Sequence, residues 1–373
     1  MIPFCKPSIT ELESEYILQA ARDRVCGDGP FTKKATSLLM EKSGLNNMLL
    51  TTSCTHALEL AAMLCDLKEG DEVILPSFTF SSTANAFLLR GAKLRFCDIS
   101  EDTLNANPSY MESLVTAKTK VLAPIDYAGV SCDIDVINSI AKKNNLLVVQ
   151  DSAQSLGSKY KGRAVGADAD FSCFSFHETK NYVMGEGGAI HIKNGELLVK
   201  CEILREKGTD RSRFYRGEVD KYSWQSVGSS YLPSDILAAM LYGQLQRFDE
   251  IMTKRMRVYN FFNDSLVDLE KSGLLRRPIV PSYAEHNAHI FYILLNSESE
   301  RDGLLNHLRD KGVGAVFHYV PLHLGQAGIN MGYKKGDLPI TEDLSLRLLR
   351  LPLFPDMTEE EMEHIVLSVK EYF

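Results

Sequence analysis

The chain has 373 residues, 45% hydrophobic and 24% charged, enough to bury a large core and to divide into two domains. Its net charge of -8, with no basic block or aromatic-interleaved stripe, argues against nucleic acid as a partner, and no segment is apolar for long enough to span a bilayer. The eight cysteines are scattered and never spaced as C-x-x-C, which fits a reducing compartment, and no zinc-spaced Cys/His set accompanies His286-x-x-His289, so no metal is expected.

In chain order, Met1 to Lys6 runs straight into an acidic helical stretch from Thr10 to Arg22, without the apolar core and cleavage site of a signal peptide, so a cytoplasmic protein is expected. From Met48 onward, short apolar runs alternate with amphipathic segments. The runs are Met48 to Leu50, Glu72 to Leu75, Leu94 to Cys97, Val121 to Ile125, Leu146 to Gln150, Phe171 to Phe176 and Ala189 to Ile192. Helix patterns at Thr55 to Leu67, Thr83 to Arg90 and Ile134 to Asn144 separate several of them. Near-continuous apolar strands spaced by helices predict an α/β core with a mostly parallel sheet covered on both faces.

Residues 205 to 231 interleave Arg, Lys, Gly and aromatic residues and read as a long loop, functional or merely connecting. Beyond it the pattern predicts a helix from Ser234 to Asn260, strands at Ala288 to Leu295 and Gly314 to Val320, and helices at Glu300 to Lys311, Thr341 to Leu349 and Thr358 to Glu371. The expected division is a large domain over residues 1–245 and a smaller α+β domain over 246–373.

Four features of the first half carry chemistry. Ser53-Cys54-Thr55 passes from a strand into a helix, where free first-turn amides and the helix dipole suit a phosphate; taken singly it is equally an ordinary N-cap. Phe78-Thr79-Phe80 follows the next strand end and offers a ring that could stack on a planar heterocycle, although core packing is the commoner fate of such a Phe. Asp151 emerges at the carboxyl end of Leu146 to Gln150, where open α/β sheets place their ligands; an Asp there is more often a cap.

Lys180 lies between the apolar run Phe171 to Phe176 and the turn Gly185-Glu186-Gly187-Gly188. Desolvation there would lower its pKa and let the neutral amine attack a carbonyl. A phosphate turn, a ring stacker, a strand-end acid and a lysine on successive strands together describe a pyridoxal phosphate site.

The order of Ser53-Cys54-Thr55, Phe78-Thr79-Phe80, Asp151-Ser152-Ala153-Gln154 and Ser175-Phe176-His177-x-x-Lys180-Asn181 resembles the DegT/DnrJ/EryC1/StrS family of sugar aminotransferases, which are fold type I pyridoxal phosphate enzymes. The resemblance runs along nearly the whole chain, through Cys26-Gly27-Asp28-Gly29-Pro30, His318-Tyr319-x-Pro321-Leu322-His323 and Leu351-Pro352-Leu353-Phe354-Pro355. It implies that Lys180 anchors the cofactor through a Schiff base, Asp151 pairs with the pyridine nitrogen, Gln154 lies near the phenolic oxygen and Phe80 stacks on the ring. Cys54, Thr55 and Ser175 would hold the phosphate.

Many family members carry an Asn and a basic residue in a loop that reaches the neighbouring subunit's phosphate. Here Ser230 stands at the Asn position and Leu232 at the basic one, within Gly228 to Asp235. The resemblance implies a homodimer, also the commonest oligomer.

Within the family, Ser175 to Tyr182 and Arg205 to Ser212 most resemble the subgroup that transfers the amino group of L-glutamate to C4 of dTDP-4-dehydro-6-deoxy-D-glucose. The product would be dTDP-4-amino-4,6-dideoxy-D-galactose, for cell-surface polysaccharide such as an O-antigen or enterobacterial common antigen. Arg211, Arg213, Arg216 and Lys221 are then candidates for the pyrophosphate, and His318 and His323 for the sugar pocket. Amination with gluco configuration, or at C3, is the alternative within the family. A sugar dehydratase of the same fold would carry histidine in place of Lys180, and a non-catalytic nucleotide-sugar sensor is the reading from another class.

Overall fold

The computed structural model describes residues 1–23 and 25–373. Its strands, in chain order, begin with β1 (Met48–Thr51), β2 (Glu72–Pro76), β3 (Lys93–Cys97), β4 (Thr119–Leu122) and β5 (Leu147–Asp151). A short hairpin, β6 (Lys159–Tyr160) and β7 (Arg163–Ala164), precedes β8 (Phe171–Ser175) and β9 (Gly188–Ile192). The chain then adds β10 (Ala284–Glu285), β11 (Phe291–Leu294) and β12 (Leu348–Leu351).

Seven of these strands form one sheet in the order β1-β9-β8-β5-β4-β2-β3. Every neighbouring pair from β8 to β3 is parallel, while β9 runs antiparallel to both β8 and β1. The parallel strands are apolar on both faces because helices cover both. Leu60, Phe87 and Val73 pack in a cluster on one side, and Ile74, Val148 and Ile137 in a cluster on the other. This is the predicted mixed, mostly parallel α/β sheet.

The sheet matters to the site because parallel strands deliver their carboxyl ends to one edge. Asp151 ends β5 and Ser175 ends β8, and Ser53 and Phe80 follow β1 and β2 as N-caps of the helices Cys54–Leu64 and Ser81–Leu88. Residues far apart in sequence thereby meet at one rim. Gly188, at the start of β9, packs so closely on the β1 turn that a Cβ would lie 2.5 Å from the Cys54 amide nitrogen.

The C-terminal segment packs around the antiparallel pair β11–β12, with Phe262, Phe291, Leu304, Leu349 and Ile365 in one cluster. The helix Phe248–Ser265 serves two cores, placing Phe248 and Ile251 against the helices beside the large sheet and Val258 and Phe262 in the C-terminal cluster. On this separation of cores we propose the two-domain division of residues 1–245 and 246–373.

Three expected elements differ. The helix expected over Ser234 to Asn260 is two, Asp235–Gln246 and Phe248–Ser265, broken where Arg247 leaves helical geometry at φ -101° and ψ 19°. Gly314 to Val320 forms no strand of its own, only a bridge between Val316 and Arg350. The helix expected to run to Leu349 ends at Arg347, because Leu348 and Leu349 turn into β12 to pair with Leu294 and Ile293. Among the described residues, no helix is long and apolar enough to cross a membrane.

The N-terminal helix Glu11–Asp23 is tied down through the fully buried Glu13, whose carboxylate accepts from the Thr10 amide (2.8 Å) and hydroxyl (2.6 Å) and from Gln244 Nε2 (2.6 Å). Burial pushes the Glu13 carboxyl up, but the Thr10 and Gln244 bonds outweigh it and the net direction is down. A carboxyl lowered in the folded state contributes stability that is complete above its ordinary value of 4.5 and is lost as pH falls through the lowered one. Glu13→Gln, which turns an amide donor towards Gln244, should therefore lower the thermal midpoint at pH 7, and the gap to the parent should narrow by pH 3. An equal gap at both pH values would show that the carboxylate charge is not what holds this helix.

Candidate active site

A cavity of ≈ 760 Å³ opens where the carboxyl edge of the large sheet faces the C-terminal segment. Its walls come from both sides: Cys54, Thr55, Phe80, Asp151, Gln154, Ser175 and Lys180 from the first, and Arg255, His289, His318, Tyr319 and Arg350 from the second.

At one end, Ser53 caps the helix Cys54–Leu64, accepting from the His56 amide at 3.1 Å. That leaves the Cys54 and Thr55 amides, in the first turn, without intrahelical acceptors, and both residues line the cavity. Thr55 Oγ1 donates to Ser82 Oγ at 2.8 Å, and Ser175 lies on the same wall. The dipole and the hydroxyls make this end a seat for an anion. Burial holds the Cys54 thiol protonated, so it adds no opposing charge.

Asp151 sits on the cavity wall, 6% exposed. Its Oδ2 accepts from Thr83 Oγ1 at 2.6 Å and its Oδ1 from the Ala153 amide at 3.1 Å. Burial raises its pKa, with the Thr83 and Ala153 bonds and the charge of Lys180 opposing. Behind it lies a second buried acid, Asp126, which accepts from Gln150 Nε2 (2.9 and 3.0 Å), Ser152 Oγ (2.8 Å) and Ser155 Oγ (2.9 Å). These bonds grip the residues on both sides of Asp151, and so fix its place on the rim.

Lys180 follows β8 in a turn closed by its own amide to the His177 carbonyl at 2.9 Å. Burial lowers its pKa, Arg350 adds to the effect, and Cys54 and Asp151 oppose it. Among the described residues its ammonium makes no ion pair and no hydrogen bond, although it shares the cavity with Asp151. The next residue is anchored firmly: Asn181 bonds the His289 ring (2.9 Å) and the Asn287 carbonyl (2.8 Å), tying the lysine turn to the opposite wall.

Gln154 is held from two sides, accepting from the Ala128 amide at 2.7 Å and donating to the Tyr319 hydroxyl at 3.1 Å. Phe80 borders the cavity and is 60% exposed, free to cover a planar ligand. His318 also lines the cavity, bonded through Nδ1 to the Tyr127 hydroxyl at 3.0 Å, and burial drives its pKa far down, so it is neutral.

The remaining candidates do not reach this cavity within one chain. His323, expected beside the sugar, is completely enclosed between Ser77 Oγ (2.7 Å) and Glu342 Oε1 (3.0 Å), and ties the loop after His318 to the end of β2. Arg216 is paired with Glu202 and Glu218, Arg213 with Glu218, and Arg211 stacks over Tyr215. Lys221 and Ser230 are exposed, the latter bridging to Glu206.

The structure also brings forward residues that sequence reasoning missed. Thr83, Tyr319 and Tyr127 orient the predicted groups, and Arg255, His289 and Arg350 close the far wall. Arg350 had a readable signal: a lone cation in the apolar run Leu348-Leu349-Arg350-Leu351, where an unpaired charge is costly.

The donor set suits a planar pyridine aldehyde bearing a phosphate. An amine with no partner among the described residues can attack a carbonyl, a buried acid can pair with a ring cation, and a helix N-terminus can hold a phosphate. Among the described residues, no cluster of His, Cys, Asp or Glu could hold a metal.

The chain matches the DegT/DnrJ/EryC1/StrS aminotransferase family over residues 7–370. It is 32% identical to the uncharacterised protein MJ1066 of Methanocaldococcus jannaschii, covering 99% of this chain and 97% of that one. It is 29% identical to the spore coat polysaccharide biosynthesis protein SpsC of Bacillus subtilis, covering 99% and 96%. The structure superposes on Spr1654 of Streptococcus pneumoniae, named as a sugar aminotransferase and solved in a PLP form, with a TM-score of 0.92, 26% identity and coverage of 100% and 98%.

Proposed function

Because the chain belongs to the DegT/DnrJ/EryC1/StrS aminotransferase family, whose members are pyridoxal phosphate-dependent sugar aminotransferases, we propose that it moves the amino group of L-glutamate to C4 of dTDP-4-dehydro-6-deoxy-D-glucose. The product is dTDP-4-amino-4,6-dideoxy-D-galactose. One observation carries the chemistry: an unpaired, desolvated Lys180 shares a cavity with the buried Asp151.

When bound, the cofactor supplies an electron-withdrawing ring that stabilises negative charge at the donor's α-carbon. Asp151, braced by Thr83 and the Ala153 amide, would keep the ring nitrogen protonated. Cys54, Thr55 and Ser175 would hold the phosphate through first-turn amides and hydroxyls, and Phe80 would stack on the ring. Gln154, oriented by the Ala128 amide and the Tyr319 hydroxyl, would lie near the phenolic oxygen.

Lys180 Nζ would hold the cofactor's carbonyl carbon, and as a free amine it would move the proton at the donor's α-carbon. Its lowered pKa suits that second task, since only the neutral amine can take a proton.

The sugar assignment rests on the resemblance of Ser175 to Tyr182 and Arg205 to Ser212 to one subgroup. SpsC, named for polysaccharide biosynthesis, supports a role in surface polysaccharide. The reading includes a homodimer in which Arg211, Arg213, Arg216 and Lys221 of one subunit face the partner's cavity and meet the nucleotide pyrophosphate. What supports it is that none of the four lines its own cavity, together with the exposed apolar side chains Trp224 (77%), Tyr222 and Val227 in the same loop. Ser230 is proposed as the cross-subunit phosphate contact in place of the usual Asn.

The test is to incubate the holoenzyme with L-glutamate and the 4-keto sugar nucleotide and to read the product's ring-proton couplings by NMR. The axial C4 amine of the galacto product should give small H3–H4 and H4–H5 couplings. Large couplings at both positions would replace it with the gluco epimer. Glutamate-driven bleaching of the cofactor band with no sugar product would overturn the substrate but leave the aminotransferase.

A further inference from the structure

We propose that Arg350 is the anchor for the α-carboxylate of the amino donor; this rests on the aminotransferase reading but not on the identity of the sugar. Among the described residues, three cations line the cavity, Lys180, Arg255 and Arg350. Lys180 is assigned above. Arg255 is committed to the backbone, with Nε donating to the Ala288 carbonyl at 3.1 Å and Nη2 to the His289 carbonyl at 2.8 Å.

Arg350 is different. Among the described residues it has no carboxylate partner; its Nη2 donates to the Phe317 carbonyl at 3.2 Å, and its Nε is enclosed without any acceptor. Its guanidinium lies over the Phe4 ring, 4.6 Å from the centroid, which holds the plane without using its in-plane donors. The backbone beneath is rigid: Arg350 sits in β12 opposite Tyr292 and exchanges two hydrogen bonds with Val316, at 2.8 and 3.1 Å. A guanidinium remains charged even where burial lowers its pKa, as it does here. An unpaired charge at a partly dry wall is stabilised when a ligand supplies the counter-charge, and a planar fork with spare donors matches a carboxylate bidentately.

The α-carboxylate is favoured over the other anions on grounds of reach. It is one bond from the carbon at which Lys180 would move a proton, and Arg350 and Lys180 line the same cavity. The sugar's pyrophosphate hangs from C1, across the ring from C4, and belongs farther out. The cofactor phosphate has its own seat at the opposite wall, on the helix Cys54–Leu64.

The test uses holoenzyme carrying Arg350→Gln and Arg350→Lys. Calorimetric binding of α-methylglutamate, which has no α-proton and cannot turn over, should weaken roughly 100-fold in the Gln variant, the worth of a charged bidentate contact, and less in the Lys variant. The KM for the keto sugar should stay within about threefold, because binding at the nucleotide end is untouched. The parent should prefer glutamate over its α-amide, and the Gln variant should lose that preference. Unchanged binding of α-methylglutamate would overturn the proposal, as would a rise confined to the sugar KM. Loss of the preference for glutamate over alanine, with the preference over the α-amide intact, would place Arg350 at the side-chain carboxylate and overturn the α assignment. Because the binding arm needs no keto acceptor, it stands even if the sugar assigned above is wrong.

Discussion

Lys180→Ala should lower transamination turnover by at least about 10⁴-fold, the combined loss of a covalent anchor and of an acid–base group. The cofactor itself should stay bound, since the seat at Cys54 and Thr55, the acid at Asp151 and the ring of Phe80 are all on other elements. A spectrum of the purified variant should show the absorbance of free cofactor aldehyde in place of the band of the lysine-bound form. Added small amines should restore part of the turnover, because proton transfer needs an amine in that volume and not the lysine backbone. Arginine at this position should not rescue, as it cannot give up its proton. Turnover within tenfold of the parent would show that another group moves the proton.

Asp151→Asn should cost about 10²- to 10⁴-fold in turnover, with little loss of fold. The amide oxygen can still accept from Thr83 and from the Ala153 amide, so the local bonds have a substitute. What the amide lacks is the negative charge that would keep the ring nitrogen protonated. The surroundings amplify that loss, because charge interactions are stronger where hydration is poor, and burial already raises the Asp151 pKa. Asp151→Glu should retain more activity than Asn if charge is the cause, and less if position is. The kcat of the two variants, measured at one pH with saturating glutamate, separates these outcomes. Equal activity of parent and Asn variant would remove Asp151 from the chemistry.

The two variants read different properties of one edge. Asp126 holds Ser152 and Gln150 on either side of Asp151, and Asn181 ties the residue after Lys180 to His289 across the cavity. Acid and amine are therefore placed by separate frames, one within the sheet and one between the sheet and the C-terminal segment. A change that loosens the second frame should move the lysine without moving the acid.

Much of the sheet was readable from local pattern. The apolar runs of Leu146 to Gln150 and Phe171 to Phe176 are too continuous for a half-exposed strand, and they are β5 and β8, buried on both faces. Where the reading missed, competition between elements decided. Leu348 and Leu349 carry a helix pattern onward from Pro339, yet pairing with Ile293 and Leu294 converts them to strand. Arg247 interrupts a helical run, and its guanidinium reaches back to Glu13 and Ser8, contacts more than 200 residues away in sequence.

By itself, the sequence determined the α/β class, the placing of Ser53, Phe80, Asp151 and Lys180 at element ends, and the family they imply. The class and the placing follow from periodicity, strand termination and turn chemistry, all of which act over a few residues, and the family from the resemblance of the motifs. Only the tertiary structure decided which side chains share a volume. It set His318 on the cavity wall and buried His323, five positions on, between Ser77 and Glu342. It also left the loop cations outside their own cavity and brought Arg350 into it from the far end of the chain. The reason is physical: hydration, charge pairing and cavity shape belong to the packing of distant segments, and no local window of sequence contains them.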